Sequence, residues 1–205
     1  MKALLYFLLL APLAAPRPAL AQLPTPPGAY RTAAAYRLRL PRPGGIDAFY
    51  PDKRGQLVVL VPRGPRTEKL RVAPDSVWGY VSGKGRTVRF YRGQEYYLEH
   101  ADTLCVYSST TQLGQEARAG TSASAPAVFG APGGLGAARY FFSRGLTGLI
   151  FPLTPRYLRE AYAAGNPAFV AALAELRLNQ SLADYDRKTG LYRVTTLYRA
   201  AAAPR

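Results

Sequence analysis

An α+β fold follows from three features of this 205-residue sequence. Between Asp75 and Ser109, short apolar and aromatic segments alternate with tight turns, the mark of an antiparallel β-meander. From Thr154 onward the apolar residues recur at helical spacing, and two helix-start signals stand in succession. A Gly/Ala/Ser-rich stretch separates the two regions. The expected architecture is an antiparallel sheet, open or partly rolled into a barrel, with a helical pair near the C-terminus.

The elements are read in chain order. Lys2 precedes the apolar run Ala3 to Leu10, and Ala19-Leu20-Ala21 stands before Gln22. A short positive start, an apolar core and small residues at the cut are what signal peptidase accepts. Residues 1–21 are therefore expected to be a cleaved export leader, with the cut between Ala21 and Gln22. The apolar core is shorter than the roughly 20 residues a spanning helix needs. Export to the periplasm, cell surface or medium follows, with no transmembrane segment after the leader is removed.

Residues 22–111 are expected to form a β-rich domain. Gln22 to Ala29 is Pro-rich and extended. Tyr36, Leu38 and Leu40 alternate with Arg37 and Arg39, a period-two pattern that predicts a half-buried strand. Leu57 to Val61 is a continuous apolar run and predicts a strand buried on both faces. Ser76 to Val81, Arg86 to Arg92, Glu95 to Glu99 and Thr103 to Ser108 read as the meander, with turns at Ser82-Gly83-Lys84-Gly85 and at Gly93. Trp78, Phe90, Tyr96 and Leu98 are its candidate aromatic core.

Residues 112–138 hold few large apolar groups and read as a flexible loop. Residues 139–205 are expected to supply a strand (Arg139 to Ser143), the helical pair and a closing strand, all packed on the β-rich part. Thr154-Pro155 and Asn166-Pro167 each offer a capping side chain followed by Pro at the first helical position. Tyr157, Leu158, Ala161 and Tyr162, then Phe169, Val170, Leu173 and Leu176, form the two apolar stripes. Leu191 to Arg199 alternates Val, Thr and Tyr and reads as the closing strand.

Cys105 is the only cysteine, so packing rather than an internal disulfide must stabilise the exported chain. It lies in Leu104-Cys105-Val106-Tyr107 and reads as a buried core thiol. The formal charge is +15. Loss of Lys2 and Arg17 with the leader, which holds no acid, lowers it by two to +13. The excess is spread without a basic run, so it predicts attraction to anionic surfaces and not a nucleic-acid footprint.

No catalytic set emerges. His100 and Cys105 point to opposite faces of an extended strand. The lone histidine removes a His-cluster metal site. Asp184-Tyr185-Asp186 with Gly190 lacks the oxygen ligands and closing Glu of a calcium loop and reads as a polar turn. Gly133 to Gly136 lacks the Lys-Ser/Thr of a phosphate loop. Ser122 and Ser124 make no nucleophile elbow. Glu95 and Glu99 share a strand face about 13 Å apart, too far for sugar hydrolysis. No cofactor is implied. The residues expected to meet a ligand are Arg86, Arg89, Tyr91, Arg92 and Tyr97, read as a cationic and aromatic face suited to an anionic glycan or lipid.

Residues 74–109, PDSVWGYVSGKGRTVRFYRGQEYYLEHADTLCVYSS, resemble a stretch of uncharacterised exported proteins of the Bacteroidota. In them a Trp-Gly-Tyr strand precedes short aromatic strands. Residues 153–186, LTPRYLREAYAAGNPAFVAALAELRLNQSLADYD, resemble their recurring tail with its Asn-Pro-x-Phe helix. The resemblance covers about half the exported chain and implies export and a shared fold, with no activity attached. The functional expectation is a non-enzymatic envelope protein associating with anionic glycan or lipid. A subunit of an envelope protein assembly is the second reading, and a hydrolase the third.

Overall fold

The computed structural model describes residues 24–109, 139–177 and 180–202. The expected leader and its Ala21–Gln22 cut, the expected loop over 112–138, Ser122, Ser124 and Gly133–Gly136 lie outside them. The chain begins with β1 (Gly28–Tyr30), α1 (Ala33–Arg37), β2 (Asp47–Phe49), β3 (Leu57–Arg63) and β4 (Arg66–Val72). A 3-10 turn at Pro74–Ser76 leads to β5 (Gly79–Val81), β6 (Thr87–Tyr91), β7 (Gln94–His100) and β8 (Leu104–Ser109). Then come β9 (Arg139–Arg144), β10 (Phe151–Pro152), α2 (Pro155–Tyr162), α3 (Pro167–Ala174), β11 (Tyr185–Asp186), β12 (Leu191–Tyr192) and α4 (Arg193–Ala202).

The fold is α+β. Seven strands form one antiparallel sheet in the order β1-β5-β6-β7-β8-β9-β10. Its outer strands do not pair with each other, so the sheet is open and the barrel alternative is set aside. The expected meander is the middle of this sheet. Its β6–β7 turn places Arg92 and Gly93 at φ 51° and 73°, the two positive values of a two-residue hairpin. Gly79 lies opposite Arg89, and a Cβ there would meet the Val88 carbonyl oxygen at 2.1 Å. Only glycine lets β5 and β6 approach so closely.

Period-two alternation gives the sheet two apolar faces. On the first, β2, β3 and β4 form a small sheet whose Leu57 and Val59 pack with Ala29, Tyr80 and Val88. Leu57, Val58 and Val59 are consecutive and buried, so this part of β3 is covered on both sides as expected. The same face, farther along, carries Leu104, Val106 and Phe142 under α2, α3 and α4. Each such apolar side chain removed from water stabilises the fold by about 1.5–3 kcal/mol. On the second face Tyr96, Cys105, Tyr107, Leu146 and Ile150 form a separate core closed by α1 and the β9–β10 connection. The four candidate core residues divide between these layers: Phe90 packs toward the small sheet, while Trp78, Tyr96 and Leu98 join the core beneath α1.

The helical pair is present, and its caps are the expected ones. Thr154 Oγ1 accepts from Tyr157 N at 3.4 Å, and Asn166 Oδ1 accepts from Phe169 N at 3.0 Å. Two expected strands are corrected. Tyr36 lies in α1, capped by Thr32, whose Oγ1 accepts from Ala35 N at 3.0 Å. Three successive alanines favour helix there, and Leu38 and Leu40 are left 68% and 55% exposed, with no sheet to cover them. Leu191 to Arg199 is strand only at Leu191–Tyr192 and then becomes α4. Val194, Leu197, Tyr198 and Ala201 stand at helical spacing and all pack into the helical core. That packing outweighs the strand preference of Val and Thr. Among the described residues no helix is long and apolar enough to cross a membrane.

Candidate anion-binding site

The residues expected to form one cationic face are separated by the structure. Arg89 and Tyr91 project from β6 to the second face, whereas Tyr97 opposes Val88 on the first. Arg86 is exposed and lies 4.4 Å from the Tyr97 ring centroid. Arg92 sits at the hairpin tip, 5.3 Å from the Tyr91 ring. Arg89 is only 4% exposed. It is therefore not a surface ligand contact. Along β6, Val88 and Phe90 take one face and Arg89 and Tyr91 the other, and no local pattern shows that the second face is covered.

Arg89 instead pins the connection from β9 to β10. Its Nη2 donates to the Gly148 carbonyl at 2.8 Å and its Nη1 to Tyr107 Oη at 3.1 Å. Trp78 Nε1 donates to the Leu146 carbonyl at 2.9 Å, and Ser143 Oγ to the Gly145 carbonyl at 2.6 Å. Three carbonyls of one short segment are thus held by side chains of three strands or their flanks. The segment turns at Gly145, where φ is 63°.

The outer side of this strap lines an open pocket of about 430 Å³ with Arg37, Asp102, Thr103, Arg144, Gly145 and Thr147. The lining comes from four places in the chain. Arg37 ends α1, Asp102 and Thr103 form the β7–β8 turn, Arg144 ends β9, and Gly145 and Thr147 belong to the strap. Arg37 reaches Gly145, its Nη2 standing 3.9 Å from where a Cβ would lie, an ordinary contact distance. Arg144 reaches the end of α2, its Nη1 donating to the Ala161 carbonyl at 3.4 Å beside the Tyr162 ring. Neither Arg37 nor Arg144 forms an ion pair among the described residues.

Asp102 is the one acid on the wall, and it is engaged elsewhere. Its Oδ2 accepts from Arg199 Nη2 at 2.7 Å and Nε at 3.1 Å, and its Oδ1 from Thr103 N at 2.7 Å. The bond from Arg199, then that from the Thr103 amide, holds the Asp102 carboxyl below its ordinary range. His100 Nε2 is 3.9 Å from Asp102 Oδ2 and has no hydrogen-bond partner. Burial, and then the nearby Arg199 charge, lowers the His100 pKa. The local balance is three guanidiniums against one carboxylate, a field that attracts anions.

The other candidate groups are placed apart. Cys105 is buried on the second face and its Sγ donates to the Asp102 carbonyl at 3.1 Å, while His100 pairs with Val106 on the first face. Burial pushes the Cys105 thiol up. Glu95 accepts from Tyr80 Oη at 2.9 Å and Glu99 from Ser108 Oγ, and neither lines the pocket. Asp184 pairs with Arg193 at 3.0 Å. Asp186 accepts from Lys188 N and Thr189 Oγ1, closing the β11–β12 turn in which Gly190 has φ 68°. Among the described residues no three His, Cys, Asp or Glu side chains gather as a metal-binding group.

Arg37, Thr103, Arg144, Thr147 and Arg199 were not singled out by the sequence. They are far apart in the chain, and Arg37 sat in a segment read as strand. No family model, no curated protein and no solved structure matches this chain.

Proposed function

We propose that this chain is an exported, non-enzymatic envelope protein that associates with anionic envelope material through the Arg37–Arg144 pocket. The observation that carries the reading is that two arginines without acidic partners among the described residues line one pocket together with two threonines. The formal charge, +15 for the whole sequence and +13 without Lys2 and Arg17 of the expected leader, acts in the same direction by raising the local concentration of anions. Export rests on the leader sequence and on the resemblance to exported proteins of the Bacteroidota.

Co-sedimentation with anionic liposomes and with isolated cell-wall material, across a salt series, tests it. Binding is expected to weaken steeply with salt. The variant Arg37→Ala with Arg144→Ala is expected to lose most of the bound fraction. A charge-matched control, Arg66→Ala with Arg187→Ala, changes two exposed arginines away from the pocket and should lose little. Equal losses in both would reduce the pocket to part of a general charge.

The exposed Leu38, Leu40 and Ile46 support a second reading, a subunit of an envelope protein assembly. Its mark is co-purification with a protein partner that survives high salt.

A further inference from the structure

We infer that the pocket holds one tetrahedral oxyanion, a phosphate monoester group carried on a sugar or a lipid, and that Asp102 sets its affinity by holding Arg199 back. The inference rests on the anion-binding reading above and gives it a ligand chemistry.

The chemistry of the lining argues for a phosphate monoester group. Arg37, Arg144, Thr103 and Thr147 come from α1, the end of β9, the β7–β8 turn and the strap. A carboxylate is planar and best served by a single fork, whereas a phosphate monoester offers three terminal oxygens in diverging directions. Two guanidiniums also match its charge of nearly two at neutral pH. The volume of about 430 Å³ exceeds a phosphate and leaves room for part of the group that carries it.

Asp102 supplies the control. A free carboxylate on the wall would repel an anion. Here both carboxylate oxygens accept strong hydrogen bonds, and Arg199 places two nitrogens on one of them. The pair leaves the wall near neutral and keeps a third guanidinium out of the pocket. Replacing Asp102 by Asn removes the wall's charge and loosens Arg199, so it is expected to tighten phosphate binding about fivefold, as one charge near a protein surface would. Arg199→Ala leaves Asp102 uncompensated and is expected to weaken binding by a similar factor.

A built-in probe makes the test direct. Trp78 is the only tryptophan, and its indole bonds the strap residue next to Thr147. Its fluorescence is followed as purified protein is titrated with inorganic phosphate, glucose 6-phosphate and phosphatidate vesicles, with acetate and glucose as controls. A saturable change with phosphate or either phosphomonoester, absent with acetate and glucose, is expected. Response to the sugar phosphate alone identifies a glycan carrier, and to the vesicles alone a lipid carrier. Arg37→Lys with Arg144→Lys keeps the net charge but removes both forks, and should weaken phosphate about tenfold or more. That same variant should still sediment with anionic envelope material at low salt. Sedimentation without any saturable phosphomonoester response overturns this inference and leaves the envelope reading standing. Loss of sedimentation by the unaltered protein removes both. Tightening that fails to appear in Asp102→Asn overturns the role given to Asp102.

Discussion

Arg89 carries a charge into a site where every hydrogen-bond acceptor it meets is neutral. Tyr107 Oη, Ser143 Oγ and the Gly148 carbonyl accept from it, and the Tyr91 and Tyr107 rings stand 5.4 and 5.8 Å from the guanidinium carbon. Ring quadrupoles and oriented dipoles take the place of a carboxylate. Arg89→Ala empties this site and leaves the Gly148 carbonyl without its donor. The expected loss is about 3 kcal/mol, read from the urea midpoint. Arg89→Met fills much of the volume without burying a charge and is expected to lose less. In both variants the strap should loosen, and Trp78 fluorescence should shift toward that of a solvated indole.

The two short helices α2 and α3 show how local signals and packing combine. Each has eight residues, too few to be stable alone. Their caps set where they start, and Leu158, Tyr162, Phe169 and Leu173 hold them on the sheet. Asn166→Ala and Thr154→Ala should each lower stability by about 1 kcal/mol in urea unfolding with an unchanged m-value. The Asn166 change is expected to be the larger, because its bond is shorter. Both starts were legible because capping uses adjacent residues. α4 was not, because its Val and Thr favour strand until a helical core is there to receive Val194 and Leu197. For α1 the local signals were present, Thr32 and the alanine run, but the alternation at 36–40 concealed them.

At the scale of the whole molecule, stability is expected to depend on pH through groups that pull in opposite directions. His100 is held neutral by burial, so its folded pKa lies below the ordinary 6.5. Below pH 6.5 the unfolded chain takes up that proton first, and stability falls as pH drops through the lowered folded value. Asp102, held charged by Arg199, extends the loss below its ordinary 3.8. Glu95 acts with the opposite sign. Burial raises its pKa above 4.5, so the stability it gives is present below 4.5 and is lost as pH rises through the folded value. Urea unfolding at a series of pH values should show stability declining as pH falls below about 6.5, and His100→Gln should flatten that decline. An unchanged slope in the variant would remove His100 from the account.

The α+β class, the meander from Gly79 to Ser109 and the starts of α2 and α3 can all be read from the chain alone. Each follows from residues close in the chain, through period, turn chemistry or capping. The tertiary structure alone decided that the sheet stays open, that its second face is covered and Arg89 buried, and that Leu191 to Arg199 turns helical. It also decided the site. Arg37, Arg144 and Arg199 meet around Asp102 only because β7, β8 and β9 are neighbours while α1 and α4 reach the same end of the sheet. No local pattern encodes that meeting, because long-range pairing sets which charges share a pocket.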